Sequence, residues 1–385
     1  MAEARVIERT EGTVSAPRRL DYLESLRGLA ALMVVLHHHY MTAPFLQEVV
    51  RFTPLRFLIN GRSSVIFFFV LSGFVIVYGI LNGSRKFSYP NFVLRRLVRI
   101  YLPYVASGVI AIACYFLLQP RVLSDTAITF NEMWSQPLRD STLAQFFLLA
   151  GTPAANTVNT VAWSLVYELR ISLLLPFLYL LAVRFPWSLW AFVVVEVITN
   201  RFRWDPVPFH ATDLVSNLDV TVHFVMPFVL GIFLAVWCSR AAIPDLDRTP
   251  MKAGLLLCAA LGLLMIFRDE PASLGAAILM YVAIGSKRFQ NILRWRALIA
   301  LGMISYSLYL THAIVLQVTV RAFHGVLPLW GALAISLVAS FPVAILFYRF
   351  IERPTHRLSR WIGRPVTAGG HALPRSSTSP NPSKR

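Results

Sequence analysis

Long apolar runs separated by short polar segments alternate along most of this chain. A membrane-spanning helix needs about 20 mostly apolar residues, and ten stretches approach or exceed that length, two of them short. They lie at 23–43, 63–82, 101–119, 161–183, 186–200, 221–239, 252–268, 271–286, 297–320 and 327–350. Because only helices and closed barrels can cross a bilayer, this pattern predicts an all-α, polytopic membrane helix bundle with about ten transmembrane helices.

The composition supports a membrane protein. Of the 385 residues, 56% are hydrophobic and 14% are charged, whereas soluble domains average about 25% charged residues. The net charge of +17 would suit nucleic acid, but most Lys and Arg residues lie in short segments between apolar runs. That placement sets membrane topology. We therefore expect a lipid bilayer around the chain, no nucleic-acid partner, and both termini in the cytoplasm.

The ends of the chain differ in composition from the middle. Residues 1–20 are polar and basic, and residues 361–385 are rich in Pro, Ser, Gly and Arg. We expect 1–20 to form a cytoplasmic N-terminal tail and 361–385 a disordered cytoplasmic C-terminal tail. Residues 21–360 then form one membrane domain.

The first apolar run carries ionisable residues at both of its ends. It reads LRGLAALMVVLHHHY over 26–40. Arg27 and His38 are eleven positions apart, which is three helical turns plus about 20°, so both lie on one face of the helix about 16 Å apart. One interpretation is that Arg27 and the histidines only mark the two interfaces. A metal site in three consecutive histidines is less favoured, because ligands on one helix need i, i+3 or i, i+4 spacing.

Two further ionisable residues reach a depth similar to that of His38. Glu168 lies a few residues into the span at 161–183, and His312 lies well inside the span at 297–320. Each alone could make a structural hydrogen bond. Ionisable residues within spans usually face a cavity or a partner, so the coincidence predicts that His38, Glu168 and His312 share one site.

The opposite, cytoplasmic side carries a cluster of arginines. Arg96 and Arg99 are spaced i, i+3 and lie on one helical face, next to Arg95. Guanidinium groups bind phosphates in bidentate fashion, although these residues could simply set topology. Between the two layers, Ser72 and Gly73 lie near mid-membrane. We favour helix packing for them over lining a narrow channel.

Six short motifs, in this order, resemble acyltransferase family 3, the integral-membrane O-acyltransferases of bacterial surface glycans and some small molecules. The resemblance extends over about residues 20–360. The motifs are Arg27 and His38 with ten residues between, FFFVLSGF at 67–74, Arg96-x-x-Arg99-Ile100, WSLVYE at 163–168, SYSLYLTH at 305–312 and Ile351-Glu352-Arg353-Pro354.

The resemblance implies an enzyme of the bacterial cytoplasmic (inner) membrane. It would move an acyl group, usually acetyl, from cytoplasmic acetyl-CoA or another acyl-CoA to a hydroxyl of a cell-surface or lipid-linked glycan, without a metal. His38 matches the family's catalytic histidine, which could act as a general base or accept the acyl group transiently. Glu168 and His312 match further family positions to which we assign catalytic roles, Glu168 orienting an imidazole. The donor-binding set implied by this resemblance is Arg27, Arg96 and Arg99, with Arg95 as a further candidate.

Two alternatives remain at this stage. The acceptor could be a small lipophilic molecule such as a macrolide, or the protein could be a proton-coupled secondary transporter that uses the buried His and Glu residues. The transporter is less favoured because the sequence has no inverted repeat. Many members of the resembled family carry an extra hydrolase-like domain. We expect this chain to act without one, alone or with a separate periplasmic partner.

Overall fold

The computed structural model describes residues 20–50, 53–83, 87–134, 137–150, 152–202 and 214–362, and every regular element in them is helical. This confirms the all-α prediction. The tails predicted at 1–20 and 361–385 lie outside the described residues, apart from Leu20, Trp361 and Ile362. The α-helices are α1 (Asp21–Thr42), α2 (Pro44–Val50), α3 (Gly61–Leu81), α4 (Tyr89–Leu118), α5 (Ile128–Glu132), α6 (Asp140–Phe147), α7 (Thr152–Val158), α8 (Trp163–Arg184), α9 (Ser188–Phe202), α10 (Leu214–His223), α11 (Val225–Arg240), α12 (Pro250–Met265), α13 (Asp269–Gly285), α14 (Lys287–Leu293), α15 (Arg296–Phe323), α16 (Leu329–Phe347) and α17 (Arg353–Ile362).

All ten apolar stretches coincide with helices, but not all of these helices are long enough to cross a membrane alone. Within the described residues, six helices have the length and apolar composition of a span, or seven if the sharply bent pair α1 and α2 counts as one. Helices α9, α12 and α13 have only 15, 16 and 17 residues. The chain is therefore a multi-pass membrane protein, and the count of ten spans stays a prediction.

Helices α1 and α15 pack together so closely that their backbones touch. A Cβ atom added at Gly302 would lie 2.4 Å from the carbonyl oxygen of Glu24, and one at Gly28 would lie 2.6 Å from the Gly302 nitrogen. Arg27 also bonds the Gly302 carbonyl, and eleven residues further along α1 His38 reaches His312 on α15. Because the paired positions advance together along both chains, the two helices are parallel and in register.

A second backbone contact joins α3 to α11. A Cβ atom at Gly73 would lie 2.2 Å from the Phe228 carbonyl oxygen, and one at Gly231 would lie 2.1 Å from the Val70 carbonyl oxygen. Gly73 is thus a packing residue, as predicted. Ser72 precedes it by 100° around the helix and lines an internal cavity instead, so the channel-lining alternative describes Ser72.

The contact between α1 and α15 predicts an unusual response to alanine. In an exposed helix interior, Gly→Ala stabilises by about 1 kcal/mol. Gly302→Ala is expected to destabilise the protein by about 1–3 kcal/mol, because the new methyl group meets backbone atoms that cannot yield. The measurement is the thermal unfolding midpoint of the purified protein in detergent.

The matched control is Gly262→Ala, since a Cβ at Gly262 meets nothing within 4 Å. We expect it to leave the unfolding midpoint unchanged or to raise it. Equal effects of the two substitutions would contradict the close packing of α1 on α15.

Candidate active site

A cavity of about 120 Å³ lies between helices α1, α3, α4, α8 and α15. The turn that precedes α17 and the first turn of α17 also line it. On α3, its lining residues extend from Val65 to Ile76. Eleven residues of helix correspond to about 16 Å, so the cavity is long and narrow. We call it the channel. Four of the predicted site residues line it: Arg27, Arg96, Arg99 and Glu168.

Arg27 is held in place by α15. Its Nε donates to Ser305 Oγ at 2.8 Å, and its Nη2 donates to the Gly302 carbonyl at 3.0 Å. The Ser305 hydroxyl in turn donates to the same carbonyl at 2.7 Å. The close approach of α1 to α15 at Gly302 brings the guanidinium within reach of these acceptors. Arg27 is therefore a fixed cation in the channel wall.

Arg96 and Arg99 enter the channel from α4. The i, i+3 spacing places both on the face of α4 that lines the channel, as predicted. The Nε of Arg96 is buried and has no hydrogen-bond partner among the described residues. A buried donor without a partner is rare in folded proteins, which suits a group that binds a ligand. Arg95 does not line the channel; its side chain is exposed and its carbonyl accepts from Ser359 Oγ at 3.0 Å.

Two carboxylates share the channel with the arginines. Glu168 accepts a hydrogen bond from Ser72 Oγ at 2.9 Å. Glu352 is 1% exposed and accepts from both the backbone nitrogen and the hydroxyl of Ser307, at 3.2 and 2.5 Å. With three guanidinium groups and two carboxylates, the channel carries one net positive charge when all five groups are ionised.

Sequence reasoning did not assign a role to Glu352, although it belongs to one of the six motifs. It lies in a π-helical turn, Tyr348–Glu352, at the end of the last long helix. Such turns often occur at functional sites. The sequence signal for Glu352 is an ionisable residue directly after an apolar run. The depth of Glu352 in the membrane could not be derived without knowing that the helix continues to Ile362.

His38 and His312 touch each other at the opposite end of the helix pair α1 and α15. His312 Nε2 lies 3.2 Å from His38 Nδ1, and the ring centroids are 5.0 Å apart. Neither histidine lines the channel. The other two histidines of the triplet bond backbone carbonyls: His37 Nδ1 bonds Ile59 at 2.7 Å and His39 Nδ1 bonds Val35 at 2.8 Å. The ring of His37 also packs edge-on against His38, with centroids 5.5 Å apart. In the described part of the chain, no group of His, Cys, Asp or Glu is arranged as a metal site.

The hydrogen bonds of the two histidines determine their tautomers. His312 Nδ1 lies 3.0 Å from the Leu308 carbonyl, and His38 Nδ1 lies 2.9 Å from the Val34 carbonyl. A carbonyl only accepts, so both Nδ1 atoms carry protons. In neutral rings each Nε2 then carries a lone pair and no proton. The single His38 Nδ1–H is shared between the Val34 carbonyl and the Nε2 of His312, and the Nε2 of His38 makes no hydrogen bond within the described residues.

The predicted layer of two histidines and one carboxylate is therefore only partly present. His38 and His312 meet, but Glu168 faces the arginines. The hydrogen bond of 2.7 Å between Ser164 and Tyr309 aligns α8 with α15. Glu168 lies four residues beyond Ser164 in one direction, and His312 lies three residues beyond Tyr309 in the other, so about 10 Å of helix separates them.

Comparison with known proteins places the chain in a family. Residues 20–349 match the family model described as "Acyltransferase domain". The chain therefore belongs to acyltransferase family 3, as the six motifs indicated, and it is an O-acyltransferase. No solved structure matches it.

Three relatives illustrate the range of the family. Acyltransferase MdmB of Streptomyces mycarofaciens is 28% identical over 374 residues, which cover 88% of this chain and 92% of MdmB. The exopolysaccharide production protein ExoZ of Rhizobium meliloti is 26% identical over 330 residues, covering 80% and 93% of the two chains. The O-acetyltransferase OatA of Staphylococcus aureus is 24% identical over 391 residues, covering 89% of this chain and 58% of OatA.

The charge balance of the channel predicts the effect of neutralising Glu168. Glu168→Gln keeps an acceptor for Ser72 and removes one negative charge, so the channel should bind a phosphate anion about tenfold more tightly. The measurement is the affinity for inorganic pyrophosphate, by calorimetry on the purified protein.

Glu48→Gln serves as the control, because Glu48 is exposed on α2, outside the channel. It should leave the affinity unchanged. An equal or weaker affinity in Glu168→Gln would show that Glu168 does not offset the arginines.

Proposed function

We propose that the protein transfers an acyl group, acetyl by preference, from acyl-CoA to a hydroxyl group of a cell-surface or lipid-linked glycan. The observation that carries this proposal is the helix pair α1 and α15, which holds Arg27 in the channel wall at one end and the His38–His312 pair at the other. The names of two relatives support the acceptor and the acyl group: one is an exopolysaccharide production protein and another an O-acetyltransferase.

The orientation follows from the donor. Acyl-CoA is a cytoplasmic compound, so the arginine end of the channel faces the cytoplasm. In this proposal the protein lies in the bacterial inner membrane, crosses it about ten times and has both termini in the cytoplasm. Arg96 and Arg99 bind the phosphates of the donor, with Arg27 beside them in the channel wall. The pantetheine arm is about 20 Å long when extended, which is comparable to the channel length of about 16 Å.

In this proposal His38 is the general base. Its Nε2 takes the proton of the acceptor hydroxyl while that oxygen attacks the carbonyl carbon of the thioester. The tetrahedral intermediate collapses by breaking the carbon–sulfur bond, and the CoA thiolate takes the proton back from the imidazolium. A neutral imidazole with a free lone pair is suited to this step near neutral pH.

His312 and Glu168 take different roles from each other. His312 is a positioning residue, because its Nε2 shares the His38 Nδ1–H with the Val34 carbonyl and so helps to orient the His38 ring with its lone pair on Nε2. Glu168 belongs to the donor site, since it bonds Ser72 and faces the arginines of the channel. In this proposal Glu168 therefore does not orient an imidazole.

The first test is a deletion strain complemented with wild type or with His38→Ala, with mass spectrometry of the envelope glycan. Wild type is expected to restore acetyl groups that His38→Ala does not restore. In vitro, His38→Ala should lower CoA release about 10²- to 10⁴-fold and leave acetyl-CoA binding unchanged.

The remaining outcomes separate the alternatives. A restored group of larger mass would change the acyl group in the proposal. An unchanged glycan with CoA release intact would favour a small lipophilic acceptor. No CoA release from the wild type with any acceptor would contradict the proposed reaction and favour a transporter.

The role of His312 is tested by substitutions that differ only in the acceptor they offer. His312→Leu removes one of the two acceptors for His38 Nδ1–H and leaves the Val34 carbonyl. It should lower kcat about tenfold through a looser orientation of the His38 ring, with little change in KM for the donor. His312→Gln can still accept and should recover part of the loss. Equal activity of the two variants would argue against positioning through this hydrogen bond.

A further inference from the structure

At the end nearest the histidines, the lining of the channel includes aromatic side chains. In that direction the channel lining ends at Val65 on α3, at Ser164 on α8 and at Tyr309 on α15. The ring of Phe68 packs edge-on against Tyr309, with centroids 5.7 Å apart and planes at 88°. We call Val65, Phe68 and Tyr309 the end wall.

The end wall separates the channel from the histidine pair. The centroid of the Tyr309 ring lies 6.1 Å from that of His312, and His312 lies 5.0 Å from His38. Neither histidine lines the channel. A group that enters the channel from the arginine end therefore meets Phe68 and Tyr309 before it can reach His38.

The two rings of the end wall are held very differently. Tyr309 is 5% exposed, and its hydroxyl bonds both Ser164 Oγ at 2.7 Å and the Val161 carbonyl at 3.1 Å. Phe68 has no polar anchor and is only partly buried. Its ring contacts are with Tyr309 and, at 6.5 Å, with Phe67. Tyr309 is thus a fixed wall, and Phe68 is the side chain that can move.

The neighbours of Phe68 show that this is not a general property of the phenylalanine run. Phe67 is 4% exposed and Phe69 is 1% exposed, and Phe69 stacks on Phe228 with centroids 5.0 Å apart. These two rings belong to the packed core. Of the three, Phe68 alone combines partial exposure with contact to the channel and to Tyr309.

We propose that Phe68 is a specificity-determining residue that limits the length of the acyl group. The inference rests on the proposed function. With the donor phosphates at Arg96 and Arg99, the thioester end of the arm reaches the end wall. A short acyl chain then fits in the channel against Phe68 and Tyr309, and displacement of the Phe68 ring opens the way to His38. Longer acyl chains collide with Phe68.

The test compares acyl donors on the purified full-length protein, measuring the affinities of CoA, acetyl-CoA, butyryl-CoA and hexanoyl-CoA. Phe68→Ala and Phe68→Leu should reduce the preference for acetyl-CoA over hexanoyl-CoA at least about tenfold, because one methylene in a fitted apolar pocket changes selectivity about tenfold or more. Free CoA, which has no acyl group, should bind wild type and both variants equally.

Phe67→Ala is the matched control, since Phe67 is a neighbouring phenylalanine outside the channel lining. It should leave the order of donor affinities unchanged. An unchanged order in both Phe68 variants, with CoA binding intact, would overturn the assignment of Phe68 and leave the proposed function standing. Failure of the wild type to bind CoA would instead overturn the proposed function and this inference with it.

Discussion

The site depends on the parallel, in-register contact between α1 and α15. Glycine at positions 28 and 302 lets the two backbones touch. This contact sets how the two helices align, and so it determines the contacts at both ends of the pair. At one end it places the Arg27 guanidinium on Ser305 and the Gly302 carbonyl, and at the other it places His38 against His312. In a bilayer the hydrophobic effect does not drive helices together, so small residues that permit close packing supply much of the association energy. A slip of one residue would rotate both pairs apart by 100°.

Charge in the channel is nearly balanced, which makes it tolerable in a low-dielectric environment. Each unpaired ion in the interior would be costly, yet three guanidinium groups and two carboxylates line one cavity of about 120 Å³. Glu352 is satisfied by Ser307 and Glu168 by Ser72. The balance leaves one positive charge and an unpartnered Arg96 Nε. This balance stabilises the channel and still attracts an anion.

The sequence was a good guide wherever a single helix determined the answer. The common face of Arg27 and His38 follows from their spacing alone, and the similar depth of His38 and His312 follows from helical rise. The sequence was a poor guide where the position of a residue depended on how two helices align with each other. Glu168 lies with the arginines because the hydrogen bond between Ser164 and Tyr309 aligns α8 with α15 at that level. The number of spans stays a prediction, because apolar composition does not reveal where each helix ends. Helices α9, α12 and α13 end after 15 to 17 residues.

The closed end wall also bears on how two substrates could meet in the proposed reaction. The arginines line one end of the channel, and His38 lies beyond Phe68 and Tyr309 at the other end, where it is partly exposed. A donor and an acceptor would then approach the same imidazole from opposite directions. Aromatic rings between them keep water from running along the channel to the thioester, because the wall is apolar except for a hydroxyl that already makes two hydrogen bonds. Transfer across such a wall requires only one side chain to move. A continuous pore would join the two sides of the membrane, so a closed wall with one mobile ring is the arrangement that permits transfer of the acyl group and still prevents leakage.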